Sequence, residues 1–287
     1  MIRLGTRGSA LALTQARSVA AALGEEVAIV TVSTSGDRGE LPNDKSRWTS
    51  ALEHALLAGE IDLAVHSAKD VPGELAPGTW IAAIPERQDP RDGLCGVADL
   101  GSLELGARVG TSSLRRAAQL RAARADLEIV ELRGNVDTRL RKLAAGEVDA
   151  MVLACAGLIR LGRQSELGAV LDLVPAPGQG ALLVQARDGD ARARRINDPV
   201  AERCVMSERA LASRLNATCH TPLGASAAAV TGGEVTLTAW IGLPDGSQWI
   251  EDALSGPAGA VGGAVAERML AAGASDLLER AEEMAAA

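Results

Sequence analysis

The sequence contains no phenylalanine and no tyrosine, and only four of its 287 residues are tryptophan. Its core must therefore be built from alanine, valine, leucine and isoleucine. Stacking on a ligand is restricted to the tryptophans, which are Trp48, Trp80, Trp240 and Trp249. Lysine is also scarce, because all but three of the 29 basic residues are arginine. The lysines are Lys45, Lys69 and Lys142.

Other absences each exclude a class of protein. No run of ~18 apolar residues is free of charges and breaks, so we expect no membrane-spanning helix. The N-terminal residues lack the apolar stretch of a secretory signal peptide. The four cysteines form no CxxC pair and show no metal-type spacing with the three histidines. We therefore expect a cytoplasmic protein with reduced thiols, no metal and no membrane partner.

The net charge of −8 disfavours general binding to nucleic acids, because phosphate neutralisation needs a basic surface. The charge is unevenly distributed, however. Residues 108–142 contain nine basic and four acidic side chains, which gives this segment a charge of +5. Such a run is compatible with a solvated helix face, with a site for a polyanion or, least favoured, with a nucleic-acid site.

Short apolar runs alternate with amphipathic stretches in two successive units. The order strand, helix, strand, helix, strand extends from Ile2 to Val65 and restarts from Arg108 to Leu153. Two such units predict two α/β lobes with mostly parallel sheets. Proline-containing segments at residues 85–90 and 174–181 predict two crossovers, which leave a cleft between the lobes. The last ~85 residues predict a small α+β domain.

Lys69 and Asp70 follow the third predicted strand, within the segment His66–Pro72. Polar residues at the C-terminal ends of parallel strands form the ligand sites of many α/β proteins. A carboxylate held ionised beside a lysine can stabilise a developing cation or transfer a proton. The same pair is equally compatible with an exposed, salt-bridged loop.

Arginines recur at predicted strand ends and in first helical turns. Arg115 and Arg116 lie in a first turn, where cations oppose the helix dipole, so their presence indicates a bound anion. A guanidinium group matches a carboxylate with two parallel hydrogen bonds. The predicted ligand therefore carries several carboxylates or phosphates. The arginines expected around it are Arg7, Arg115, Arg116, Arg133, Arg139 and Arg160.

Cys219 lies in a polar loop after a predicted helix, next to His220. A lone cysteine in such a loop is either an inert, partly buried thiol or a reactive thiol activated by a neighbour such as His220. The spacing shows no Cys–His–Asp triad, so both interpretations stay open at this point.

Six motifs occur in a fixed order between Thr6 and Ala181. They are Thr6–Leu13, His66–Pro72, Pro90–Asp92, Gly110–Arg116, Leu132–Leu140 and Pro177–Ala181. Taken together, these motifs resemble those of the porphobilinogen deaminase family, also called the hydroxymethylbilane synthase family.

The resemblance implies two periplasmic-binding-protein-like α/β lobes with an interdomain cleft, plus a small C-terminal α+β domain. The implied boundaries are residues 1–86 with 181–199, residues 87–180 and residues 200–287. It also implies a monomeric transferase of tetrapyrrole and heme biosynthesis. Such an enzyme joins four porphobilinogen molecules head to tail, releases ammonia each time and hydrolyses off linear hydroxymethylbilane. The implied primer is a dipyrromethane cofactor, attached to Cys219 by a thioether.

The family motifs also imply roles for single residues of this chain. Asp70 matches the catalytic aspartate, and Lys69 is its catalytic neighbour. The implied cofactor contacts are Cys219, Ser67, Lys69, Asp70, Thr111, Ser112, Ser113, Arg115, Arg116, Arg133, Gly134 and Arg139. The implied substrate contacts are Arg7, Ser9, Lys45, Trp48, Arg133, Arg139, Arg160 and Gln179.

Three features depart from the family pattern. The loop before Lys45 is short and lacks a second lysine. Trp48 stands where the family has phenylalanine. Ala217-Thr218 replaces a pair of glycines before Cys219. The alternative function is a non-catalytic, two-lobed polycarboxylate-binding protein in which Cys219 is unmodified.

Overall fold

A computed structural model describes residues 1–35, 46–218 and 221–286. Lys45 and Cys219, to which the sequence assigns roles, lie outside these residues. The described chain contains two five-stranded sheets and one three-stranded sheet, all packed against helices. No helix in these three ranges is both long and apolar enough to cross a membrane.

The chain first builds most of one lobe. Its elements are β1 (Ile2–Thr6), α1 (Ala10–Leu23), β2 (Val27–Thr31), α2 (Ser46–Leu57), β3 (Leu63–Ser67) and β4 (Thr79–Ala83). Local signals in the sequence set the start and end of α1. The hydroxyl of Ser9 accepts a hydrogen bond from the amide of Ala12, and Gly24 ends the helix with a φ of 63°.

A second lobe follows. Its elements are β5 (Asp92–Cys95), β6 (Arg108–Gly110), α3 (Leu114–Ala123), β7 (Glu128–Val130), α4 (Val136–Ala144), β8 (Ala150–Ala154), α5 (Cys155–Arg160) and β9 (Leu167–Leu171). The strand order in its sheet is β7-β6-β8-β5-β9. Here β6 pairs in parallel with β7 and β8, whereas β5 runs antiparallel to β8 and β9.

The chain then returns to the first lobe with β10 (Leu182–Arg187). This strand inserts between β3 and β4 and is antiparallel to both, which gives the order β2-β1-β3-β10-β4. The two lobes therefore share one arrangement, and each is completed by an antiparallel strand next to its crossover. The C-terminal ends of β3 and β6 carry the polar segments predicted to form the site.

The third domain contains α6 (Pro199–Arg214), β11 (Leu223–Ala229), β12 (Glu234–Gly242), β13 (Trp249–Pro257), α7 (Ala258–Ala271) and α8 (Ala274–Ala286). Its three strands form one antiparallel sheet. The predicted fold class is thus confirmed, and the expected aliphatic core is confirmed as well. The largest fully buried side chains are leucine, isoleucine and methionine.

Candidate active site

A cavity of about 270 Å³ lies where the two lobes, the second crossover and the third domain meet. The first lobe contributes α2 and the turn after β3. The second lobe contributes the start of α3, and the third domain contributes the ends of the Cys219 loop. Eight predicted site residues line it, namely Trp48, Lys69, Asp70, Ser112, Ser113, Arg115, Arg116 and Gln179.

The turn that carries Lys69 and Asp70 is a single 3₁₀ turn, Ala68–Asp70, directly after β3. The amide of Ala68 donates to the carbonyl of Ala181 at 3.0 Å, which ties the turn to the second crossover. The Asp70 side chain faces the cavity, and no hydrogen bond to its carboxylate comes from the described residues. This carboxylate is therefore available to a ligand.

Lys69 directs its ammonium group toward the second crossover, where Nζ lies 3.2 Å from Oε1 of Gln179. Burial lowers the pKa of Lys69 to about 8, and the like charge of Arg116 adds to this effect. Asp70 and Asp92 offset only part of it. The ammonium group of Lys69 can therefore lose its proton at a pH only slightly above neutral.

Arg115 and Arg116 converge on one buried carboxylate, that of Asp92 at the start of β5. Nη2 of Arg115 lies 2.7 Å from one carboxylate oxygen, and Nη2 of Arg116 lies 2.7 Å from the other. Burial by itself would raise the pKa of Asp92, but the two guanidinium groups hold it well below its usual range. The anion that these arginines contact is thus a side chain of the protein itself.

Sequence reasoning did not include Asp92 among the site residues. The available signal was an acidic side chain at the start of the short apolar run Gly93-Leu94-Cys95, because a buried charge needs a partner. Gln179 completes the cluster. Its Nε2 donates to Oδ1 of Asp92 at 2.8 Å and to the carbonyl of Pro90 at 2.7 Å. One amide therefore joins Lys69 of the first lobe to Asp92 of the second.

Positive charge in the cleft exceeds what the described residues neutralise. Nε of Arg115 is buried and has no hydrogen-bond partner among the described residues. Arg139 and Arg160 donate only to uncharged oxygens there, those of Gly134 and Ser112 and that of Gly180. Burial lowers the pKa of both arginines to about 10. A ligand with several carboxylates would relieve this imbalance.

Arg7 and Trp48 form a pair at the edge of the cavity. The guanidinium carbon of Arg7 lies 3.9 Å from the centroid of the Trp48 ring, a cation–π contact. The aromatic side chain that the sequence leaves near the site therefore stacks on an arginine of the protein.

Four further predicted residues shape the backbone around the cavity. Ser9 caps α1, and the Ser67 hydroxyl accepts from Nε2 of Gln15 at 2.9 Å. The buried hydroxyl of Thr111 accepts from the amide of Ser113 at 3.2 Å. Gly134 has a φ of 122°, a conformation that favours glycine. These contacts place the loops, and direct ligand contacts by these residues stay predictions.

Several predicted site residues do not line the cavity, namely Arg7, Ser9, Ser67, Thr111, Arg133, Gly134, Arg139 and Arg160. Arg133 also points away from the other predicted residues into solvent. Its side chain is 80% exposed and pairs with Glu131 at 2.7 Å. Its proposed contacts with cofactor and substrate stay predictions. Within the described residues, no group of three or more His, Cys, Asp or Glu side chains could hold a metal ion.

Comparison with known proteins identifies the family. Residues 2–195 match the family model "Porphobilinogen deaminase, dipyromethane cofactor binding domain", and residues 202–271 match "Porphobilinogen deaminase, C-terminal domain". A porphobilinogen deaminase of Deinococcus radiodurans is 43% identical over 98% of this chain and 99% of its own length. One of Rubrobacter xylanophilus is 49% identical over 85% of each chain.

Among solved structures, a periplasmic substrate-binding protein of an ABC transporter from Coxiella burnetii aligns with a TM-score of 0.43 and 18% identity. That alignment covers 68% of this chain and 90% of the other. The family matches span both lobes and the third domain, and the two relatives match over 99% and 85% of their own length. The chain belongs to the porphobilinogen deaminase family.

Proposed function

We propose that this chain is a hydroxymethylbilane synthase. It condenses four porphobilinogen molecules head to tail with loss of ammonia and releases the linear tetrapyrrole by hydrolysis. The observation that carries the proposal is the cavity in which Asp70 and Lys69 face a cluster of arginines. A cation-lined cleft alone would also suit a non-catalytic polycarboxylate-binding protein. The family assignment and the carboxylate of Asp70 favour the enzyme.

The residues present fit the family's dipyrromethane cofactor. Each pyrrole of this group carries an acetate and a propionate, so the group is a polycarboxylate. The cleft offers the unpartnered Nε of Arg115 and the half-buried guanidinium of Arg139, which has no carboxylate partner among the described residues. Ser112 and Ser113 line the same cavity and can donate further hydrogen bonds. These residues would hold the cofactor carboxylates.

When bound, the dipyrromethane supplies the pyrrole carbon that receives the first substrate. The side chains of the protein stabilise the developing charge and position the substrate. Departure of ammonia from porphobilinogen leaves positive charge on the substrate pyrrole. The Asp70 carboxylate stabilises that charge and accepts hydrogen bonds from pyrrole N–H groups. Arg7 and Arg160 would bind the substrate carboxylates and hold the pyrrole for attack, and Lys69, beside Asp70, would bind a cofactor carboxylate.

Cys219 is proposed as the point of cofactor attachment. The other three cysteines, Cys95, Cys155 and Cys204, are buried, and burial raises the pKa of each thiol. Buried thiols of raised pKa make poor nucleophiles, because the thiolate is the reactive form. The burial of these three thiols supports attachment at Cys219, the cysteine that the family resemblance indicates.

Replacement of Cys219 tests the proposed function. The purified protein should exceed its polypeptide mass by about 420 Da, the mass of a dipyrromethane. Cys219→Ser should show the polypeptide mass alone and no turnover of porphobilinogen, whereas the control Cys204→Ala keeps the additional mass. Intact-mass spectrometry gives the answer. An unmodified wild-type protein would contradict the proposal, and an adduct retained in Cys219→Ser would contradict the attachment site.

The lowered pKa of Lys69 predicts a pH dependence. The kcat/KM for porphobilinogen should fall as pH rises through about 8, because the ammonium group becomes a neutral amine and no longer binds carboxylates. Lys69→Arg keeps its charge throughout this range, so this decline should disappear in the variant. Initial rates between pH 7 and about 9.5 measure both profiles. A decline of equal midpoint in both proteins would assign it to another group.

The remaining assignments are part of the same proposal. The enzyme acts as a cytoplasmic monomer on porphobilinogen, without nucleic acid, metal or membrane. Its domains are residues 1–86 with 181–199, residues 87–180 and residues 200–287. Two contacts in the +5 segment support the absence of a nucleic-acid site, because Arg108 and Arg124 are paired with Asp149 and Asp126.

A further inference from the structure

One arginine of the third domain reaches the backbone just beyond the catalytic turn. Arg209, on α6, donates from Nη1 to the carbonyl of Val71 at 3.3 Å. Its Nη2 donates to the carbonyls of Pro72 at 2.6 Å and Gly73 at 3.0 Å. Within the described residues it has no carboxylate partner, and burial lowers its pKa. The charge of this side chain is thus directed entirely at the segment that follows Asp70.

The preceding residue on α6 holds the opposite side of the same turn. The carboxylate of Glu208 is fully buried and accepts from the amide of Gly178 at 2.7 Å and from Nη1 of Arg87 at 2.7 Å. Gly178 packs tightly against the turn, because a Cβ at this position would lie 3.0 Å from Ala68. Two consecutive residues of one helix therefore fix both flanks of the turn.

The same helix leads to the proposed cofactor attachment. Arg209 lies ten residues before Cys219, and α6 ends between them at Arg214. The described ends of the Cys219 loop, Thr218 and Thr221, line the cavity together with Asp70. One rigid element thus connects the loop that carries the primer to the turn that carries the carboxylate.

We propose that Arg209 is a positioning residue, which holds the Ala68–Asp70 turn at a fixed position relative to the cofactor-bearing domain. This role rests on the proposed function, since that position matters only if Asp70 acts on a chain tethered at Cys219. Arg209 itself does not line the cavity that contains Asp70. Its loss releases the segment 71–73 and lets the carboxylate of Asp70 move relative to the tether. Misplacement of a catalytic group by about 1 Å is enough to reduce turnover strongly.

The test is amide hydrogen exchange of the holoprotein without substrate, combined with steady-state kinetics. In Arg209→Met, exchange in a peptide covering residues 68–74 should accelerate about tenfold, while exchange in β1 and β12 stays unchanged. We expect kcat to fall about tenfold, with KM within about twofold and the cofactor mass retained. Arg209→Lys should give intermediate values, because one ammonium group cannot span three carbonyls.

Arg214→Met is the matched control, since Arg214 lies on the same helix and forms an exposed ion pair with Glu267. It should leave both readouts unchanged. Exchange in residues 68–74 that equals wild type in both Arg209 variants would overturn the proposal, and so would acceleration spread evenly over the whole chain. Failure of the proposed function is separate, because it would appear as wild-type protein that consumes no porphobilinogen.

Discussion

Asp70→Asn should retain the cofactor and lose almost all turnover, with kcat for porphobilinogen reduced by roughly 100- to 1,000-fold. The substitution preserves the size of the side chain but removes its charge. Asparagine cannot balance the positive charge that develops when ammonia leaves the substrate. Because no described residue donates a hydrogen bond to this carboxylate, the fold should not depend on it. Steady-state rates and intact mass measure the two parts of the prediction.

Glu74→Gln is the matched control, because Glu74 is an exposed carboxylate on the same loop. Its kcat should equal that of the wild type. Asp70→Glu adds a second comparison: the charge is kept but displaced by one methylene, so activity should lie between wild type and Asp70→Asn. Near-normal turnover in Asp70→Asn would remove Asp70 from the mechanism.

Asp92→Asn should be the most destabilising change at the site and should lower the free energy of unfolding by about 3–5 kcal/mol. The loss is large because the guanidinium groups of Arg115 and Arg116 would stay buried without their counter-ion. Neither can escape to water easily, since their side chains are only 4% and 7% exposed. Urea unfolding followed by tryptophan fluorescence measures the difference.

Asp149→Asn provides the comparison for a surface pair. Asp149 binds Arg108 in the same lobe, but its side chain is 44% exposed. Solvent screens this pair, so the change should lower the free energy of unfolding far less than Asp92→Asn does. Equal losses in the two variants would mean that the buried cluster has no special role in stability.

Local sequence signals predicted much of the fold. The limits of α1 follow from Ser9 and Gly24, which act through hydrogen bonds and backbone angles within a few residues. The alternation of strands and helices then gave the two lobes. The antiparallel strands β4, β5, β9 and β10 were not predicted, because they lie outside the regular alternation of strand and helix, beside the proline-containing crossovers.

The candidate site was predictable only in part, because many of its contacts join residues that are far apart in the sequence. Its motifs indicated Asp70 and the arginines, but the partners that fix them are distant in sequence. Asp92 lies 24 residues from Arg116, and Gln179 lies 110 residues from Lys69. Such pairs arise from the strand order and the crossovers, which no local pattern encodes. The same limit applies to Arg209, whose contacts lie 136 to 138 residues away.

The roles of single side chains were also hard to predict, because a ligand and another side chain of the protein can both satisfy the same residue. The two arginines of α3 indicated an anion, and the structure supplies one from β5 rather than from a ligand alone. Trp48 was expected to contact the substrate, and in the structure its ring contacts Arg7. In both cases the residue type predicted the chemistry of the contact, while the fold determined its partner.

Counting the ammonia released from porphobilinogen tests the central claim most directly. Purified wild-type protein should release four ammonia molecules for every linear tetrapyrrole that it forms, because each condensation removes one amino group. The Asp70→Asn protein, measured in parallel, should release almost none. Tight binding of porphobilinogen by the wild type without any release of ammonia would contradict the account, and it would identify the chain as a polycarboxylate-binding protein instead.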